Sequence, residues 1–407
     1  MDKTGKSVTA LFDRINRGKK NVKNTRKPTT NYYDYSLVAV IILLTCFGLI
    51  MLYSTSAYIA ELDYNDDMYY FKKQAVISLV CLIAAILISK IDYHILTYFT
   101  TILYGLAVVL MLLVRTPLGH TSHGARRWLK IGPIQFQPAE VAKIAVVVCL
   151  SYMIVAMGKQ IRTLKACMVL AGMGGALGLV AYVATDNLST AIIICGITAG
   201  MIFVAHPDTR PFVILLIIGI VLIVGLVFLL NALVDPASSG SFRIKRILVW
   251  LHPEAYASGD GYQTLQALYA IGSGGLLGRG LGNSIQKLGN VPEAQNDMIF
   301  SIVCEELGIL GGLIVIILFA YLLYRLFFIA QNAPDMFGSL MVSGIFIHIA
   351  LQVVLNIAVV LNILPNTGVT LPFISYGGTS VLFLMSEMGL ALSVARQIKF
   401  QEPERLL

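Results

Sequence analysis

The chain has 407 residues, of which 57% are hydrophobic and only 13% charged, with a mean hydropathy of +0.78. A soluble domain carries about a quarter charged residues, so an ordinary globule is excluded and a polytopic membrane protein is indicated. The net charge of +8 comes without aromatic interleaving or a folded basic module, which argues against nucleic-acid binding.

The first 31 residues form a basic tail, with Lys3, Lys6, Arg14, Arg17, Lys19, Lys20, Lys23, Arg26 and Lys27 against Asp2 and Asp13. By the positive-inside rule this tail stays in the cytoplasm and can touch anionic membrane lipids. The first apolar run follows without a small-residue cleavage site, so it is read as an uncleaved span.

Apolar runs able to cross a ~30 Å hydrocarbon core lie near 36–56, 73–90, 95–115, 139–157, 166–185, 187–205, 211–235, 297–325, 336–361 and 372–395. None alternates as barrel strands do. The expected fold is all-α, with about ten transmembrane helices in one domain over 32–398, and a cytoplasmic tail at 399–407. The six cysteines are scattered in apolar runs without CxxC spacing and read as small core residues.

Two connections are long, 116–138 and 236–296, and both fall outside if the N-terminus is inside. The second is the large extracytoplasmic loop between helices 7 and 8. Its apolar punctuation at Trp250, Leu251, Tyr262, Leu265 and Leu268 predicts short amphipathic helices lying at the outer interface. A third outer segment, 362–378, is rich in proline and glycine and includes Ser375. Irregular backbone at membrane depth must be buried in protein or line a cavity, so the three segments are candidates to build one site.

Asp297 closes the second loop and opens the apolar run Met298 to Val303. Its carboxylate belongs near a helix N-terminus, where negative charge is favoured; the plain alternative is a helix cap. Glu140 and Lys143 stand three residues apart on the fourth span, a costly placement unless paired or facing a polar cavity. Glu305 and Glu306 lie about two turns below Asp297, and since adjacent residues cannot share a face, one of them is expected to face inward as a second polar contact. The outward cations Arg126, Arg127, Arg243, Lys245, Arg246 and Lys287 suit a diphosphate, although each alone is equally an interfacial charge. Histidines show no metal-ligand spacing, and neither a Walker lysine nor a GxSxG motif is present.

Taken together these segments resemble the SEDS family of shape, elongation, division and sporulation proteins. The resemblance rests on Gly124 to Trp128, Gln137-Pro138-Ala139-Glu140, Gly261-Tyr262-Gln263, Ala270 to Gly275, Gln286-Lys287, Pro292-Glu293-Ala294 to Asp297, Glu305 to Gly308, and Leu371 to Gly378. The Gly261-Tyr262-Gln263 segment is more similar to the division and sporulation branch. Asn187, Met298 and Ala139 depart from the family pattern.

The resemblance implies a peptidoglycan glycosyltransferase of the bacterial cytoplasmic membrane that joins lipid II units at the outer face, with both termini cytoplasmic. It implies Asp297 as the essential acid with Glu140 and Lys143 as further charged site residues. Arg126, Arg127, Arg243, Arg246, Gln263, Lys287 and Ser375 are candidates to bind substrate, and Mg²⁺ or Mn²⁺ could assist at the diphosphate. Implied partners are a class B penicillin-binding transpeptidase and other cell-division proteins. The rival expectations are a lipid II flippase, which should carry polar groups at several depths, and a non-enzymatic division scaffold.

Overall fold

The computed structural model describes residues 29–122, 125–132, 134–233, 242–259 and 261–401. The basic tail through Pro28, His123, Gly124, Asp235-Pro236 and the last six residues lie outside them. Among the described residues ten helices are long and apolar enough to span a membrane, as the apolar runs predict. They are α1 (Tyr35–Tyr64), α2 (Tyr69–Lys90), α3 (Leu96–Leu113), α4 (Pro138–Met157), α5 (Leu164–Thr185), α6 (Leu188–Ala205), α7 (Arg210–Leu233), α10 (Ile299–Asn332), α11 (Met336–Val360) and α12 (Gly378–Gln397). Two shorter helices, α8 (Phe242–Leu251) and α9 (Tyr262–Gly274), lie between α7 and α10.

Local chemistry sets where several spans begin. Asp34 accepts from the Leu37 N–H at 2.9 Å, Asn187 from the Thr190 N–H at 3.0 Å and Asp335 from the Gly338 N–H at 2.9 Å, each satisfying an otherwise orphaned helix donor. Asp34 is also gripped by Arg325, with contacts of 2.7–3.2 Å, which ties the start of α1 to α10. Pro138 occupies the first turn of α4, where its missing N–H costs nothing.

α4 packs against α3, α5, α6 and α11; α10 packs against α1, α9 and α11; α12 packs against α2. Within their spans, 61% of α4 and of α12 is buried but none of α7, so α7 stands at the edge of the bundle. In the middle of the bundle His348 of α11 meets Glu387 of α12 at 2.9 Å, both almost fully buried.

Three features differ from the sequence expectation. Residues 119–136 form an antiparallel three-stranded sheet, β2 (Gly119–Ser122), β3 (Ala125–Ile131) and β4 (Ile134–Phe136). The basic segment pairs with itself because only two residues separate each strand from the next, and it needs no long apolar pattern. The tails also meet: β1 (Thr29–Asn31) pairs antiparallel with β5 (Lys399–Gln401).

The third difference concerns 262–290. α9 packs on protein, beside the start of α10, with Gly274 against the Cys304 carbonyl. The chain then continues as a glycine-rich series of turns whose first residues pair with the backbone of α10. The Arg279 and Gly280 N–H groups donate to the Glu305 and Glu306 carbonyls, while the Ile309 and Leu310 N–H groups donate to the Gly275 and Leu276 carbonyls. This exchange is possible because α10 is broken at Gly308, whose φ of 69° leaves the helical region. A Cβ at Gly308 would fall 2.3 Å from the Leu276 oxygen, so only glycine fits. The re-entrant loop satisfies backbone groups that lipid could not.

Candidate active site

Asp297 ends the loop immediately before α10, at the end of the bundle opposite the termini. Three contacts fix its segment from the 362–377 loop and from α11. The Tyr376 N–H donates to the Gln295 carbonyl at 2.9 Å, the Ser375 hydroxyl to the Asn296 carbonyl at 2.6 Å and Asn356 Nδ2 to the Asp297 carbonyl at 2.8 Å. Asn356 Nδ2 also donates to the Val369 carbonyl at 2.7 Å, joining both segments to α11.

The Asp297 side chain itself is treated differently. It is 9% exposed, and Oδ1 has no hydrogen-bond partner among the described residues. Gly368 approaches the other oxygen: a Cβ there would stand 3.8 Å from Oδ2. Burial, and then nearby Glu293, push the carboxyl up to about 7 against its own backbone N–H and Arg246, which lower it. A carboxylate poised near neutrality can take up a proton at working pH. It is therefore not merely a helix cap.

One guanidinium group, Arg246, acts on this acid, and a second, Arg127, feels the charge of Arg246. Arg127 on β3 donates to the Asp186 carbonyl at 3.2 Å, and its buried Nε has no partner among the described residues. Burial and then Arg246 hold its pKa below the usual arginine value, against Asp186, which raises it. Arg246 on α8 donates to the Asn366 carbonyl at 3.4 Å. Gln263, the third residue of Gly261-Tyr262-Gln263, ties the rim together by accepting from Asn366 Nδ2 at 2.9 Å and donating to the Pro292 carbonyl at 3.2 Å. Arg243 lies on α8 as well, with its side chain outside the described residues.

Other candidates point elsewhere. Arg126 donates to the carbonyls of Thr116, Gly119 and Arg115 at 2.6, 3.3 and 3.4 Å, and so fastens the sheet to the end of α3. Lys287 is buried against Glu306 Oε1 at 2.8 Å and Ser54 Oγ at 2.9 Å. Ser375 has its hydroxyl committed to the Asn296 carbonyl and to the Leu371 N–H, which donates to it at 2.8 Å. Glu305 and Glu306 are both fully buried, against the expectation that only one faces inward. Both address the re-entrant loop, because the break at Gly308 lets it fold around the helix: Glu305 accepts from the Ile285 N–H at 3.1 Å, and Glu306 accepts from Lys287.

Glu140 and Lys143 form a buried pair at 2.9 Å. Lys143 donates onward to Gln352 Oε1 at 3.3 Å, and Gln352 Nε2 donates to the Thr370 carbonyl at 3.1 Å. The pair thus reaches the loop beside Asp297 through Gln352. Gln352 and Asn356 were missed by sequence reasoning. Their signal was there, since His348, Gln352 and Asn356 recur at i, i+4 and i+8 in an apolar helix, a polar stripe expensive in lipid. No group of three or more His, Cys, Asp or Glu side chains converges as a metal-ligand set among the described residues.

Ten apolar helices, with a desolvated acid under the influence of Arg246 at one end of the bundle, define an integral membrane protein. The chain belongs to the FtsW/RodA/SpoVE family, described as "Cell cycle protein", whose model matches residues 34–400. It is 37% identical over 373 residues to stage V sporulation protein E of Bacillus subtilis, covering 90% of this chain and 98% of the relative. It is 34% identical over 376 residues to a probable peptidoglycan glycosyltransferase FtsW of Trichlorobacter lovleyi, covering 90% and 94%. Among solved structures, one described as "Structural coordination of polymerization and crosslinking by a peptidoglycan synthase complex" matches with a TM-score of 0.73 at 26% identity, covering 89% of this chain and 98% of that one. The rod shape determining protein RodA of Thermus thermophilus matches with a TM-score of 0.64 at 26% identity, covering 90% and 97%.

Proposed function

We propose that this protein is a peptidoglycan glycosyltransferase that polymerises lipid II at the outer face of the bacterial cytoplasmic membrane, with Asp297 as general base. The observation that carries the role of Asp297 is its buried carboxylate, with Oδ1 unpartnered among the described residues and Arg246 acting on it. The acceptor 4-hydroxyl gives its proton to Asp297 as its oxygen bonds to the anomeric carbon of the donor sugar. The bond from that carbon to the diphosphate breaks, and undecaprenyl diphosphate leaves as a stable anion. No second carboxyl is needed to protonate it, unlike glycoside hydrolysis. Positioned proton transfer contributes ~10²- to 10⁴-fold, and the two arginines stabilise charge growing on the diphosphate.

Lys143 and Glu140 act in this reading as positioning residues, through Gln352 and the 370 carbonyl, without touching the sugar. Gln263 and Ser375 hold the walls. Asp297 and Glu293 could offer carboxylates to Mg²⁺ or Mn²⁺, but the protein side chains alone do not complete a ligand set. When bound, such an ion would neutralise diphosphate charge; the residues above serve whether or not it participates. The termini are assigned to the cytoplasm by the charge of the tail. A class B penicillin-binding transpeptidase is the proposed partner, supported by the likeness to a synthase complex, and other division proteins would recruit the pair.

A flippase reading draws on the polar stripe at several depths of α11. Those side chains are at most 3% exposed, and two of them are engaged by Glu387 and Lys143, so they fit packing better than a conduit. The test is glycan synthesis from purified lipid II by the reconstituted protein, native against Asp297→Asn. Polymer from the native chain alone is the expected result; polymer from both would remove Asp297 as base, and flipping without polymer from either would favour transport.

A further inference from the structure

We propose a binding site for one anionic glycerophospholipid between α5, α6 and α7, in the half of the bundle that carries the termini and away from Asp297. The groove there has a volume of about 360 Å³, and its walls include Ala171 and Gly175 of α5, Cys195 and Ala199 of α6, and Phe212 and Leu215 of α7. The sequence explains the space. Small residues on α5 and α6 keep those walls low, and a Cβ added at Gly175 would meet nothing within 4 Å. α7 then closes one side while leaving its own surface unburied. An acyl chain fits such a slot, because bilayer chains supply the dispersion contacts that α7 lacks from protein.

The charges at its mouth select the headgroup. Lys159 and Arg162 lie in the turn before α5, Lys165 in its first turn next to the groove residue Leu164, and Arg210 two residues before Phe212. Asp208 is the single acid in these two turns, residues 158–165 and 206–210. All four cations are exposed, and none forms a side-chain ion pair among the described residues. Two basic turns bracketing an apolar slot match a phosphate head above acyl chains, the arrangement by which basic pockets between spans hold anionic lipid. None of these residues belongs to the polymerisation site.

The experiment is lipid retention by the full chain in native mass spectrometry, with thermal unfolding in nanodiscs of phosphatidylglycerol or phosphatidylcholine. One retained phosphatidylglycerol and a higher melting temperature in that lipid are expected. Each basic residue near a membrane surface is worth roughly fivefold in affinity. The triple variant Arg162→Gln/Lys165→Gln/Arg210→Gln should therefore lose on the order of 100-fold in phosphatidylglycerol affinity while melting unchanged in phosphatidylcholine. Gly175→Leu keeps every charge, fills the slot and should lose retention too. If the triple variant folds poorly, Lys165→Gln alone should show its share of the loss. Retention by the triple variant, or by Gly175→Leu at native strength, overturns the site. Preferential retention of undecaprenyl phosphate over phosphatidylglycerol overturns the choice of occupant. Glycan synthesis in phosphatidylcholine reads separately whether Asp297 is the base.

Discussion

Two sets of buried carboxylates lie at and just below the start of α10, and their surroundings are opposite. Glu305 and Glu306 are entirely buried and fully answered, by the Ser284 hydroxyl, the Ile285 N–H, Arg279 at 3.6 Å, Lys287 and Ser54. Asp297 is nearly as buried but has one oxygen with no partner among the described residues. Burial of a charge is therefore not what marks this site. A buried ion with its full complement of partners holds two chain segments together, whereas one denied partners has its proton affinity raised into the working range.

The largest effect that could break this contrast is the loss of the Asp297 charge. Asp297→Asn should lower polymerisation by ~10²- to 10⁴-fold with the melting temperature unchanged or raised, since no partner is orphaned. Lys287→Met should do the reverse. It leaves Glu306 as an uncompensated buried charge, and breaking such a pair costs about 3–5 kcal/mol. The yield of folded protein in detergent should collapse, and the double variant Lys287→Met/Glu306→Gln should recover much of it. Equal loss of folding in Asp297→Asn would erase the distinction between the two sets.

A smaller and sharper test uses pH. The rate should rise with pH through an apparent pKa near the value of about 7 for Asp297. Glu293→Gln removes a charge that raises this pKa and should move the limb to lower pH; Arg246→Gln removes one that lowers it and should move the limb higher. Stability has its own sign. The folded carboxyl titrates above its ordinary value of 3.8, so its contribution is fully present below that value and is lost as pH rises through about 7. The melting temperature of the native chain should fall over that window relative to Asp297→Asn, which has no proton to lose there.

How much of this was legible in the sequence follows the physics of each part. Apolar length reveals spans, and all ten were readable, as were Asp297 at a helix entrance and the Glu140–Lys143 pair at helical spacing. The small sheet at 119–136 was not, because short locally paired strands leave no long-range pattern. The re-entrant path of α9 was not either, since one apolar face is equally consistent with lying on lipid or packing on α10. Glu305 and Glu306 were misjudged because adjacent residues on a helix can both be buried when a loop folds around it, as the one before α10 does. Arg126 and Lys287 looked like ligands for phosphate because composition gives a charge without its partner. In a chain this apolar, the satisfaction of each charge is tertiary information.

Ser375 carries the smallest expected effect and separates a wall from a contact. Its hydroxyl donates to the Asn296 carbonyl and accepts from the Leu371 N–H, so Ser375→Ala should cost about 1 kcal/mol of stability, the usual net worth of such bonds. Because the clamp sits one residue before Asp297, kcat should drop modestly while KM for lipid II and the pH limb stay fixed. A residue that gripped substrate directly would instead raise KM and leave the melting temperature alone. If Ser375→Ala gave that second pattern, the Ser375 hydroxyl would belong to the substrate surface, and the rigidity of the Asp297 segment would have to come from Asn356 and the Tyr376 N–H.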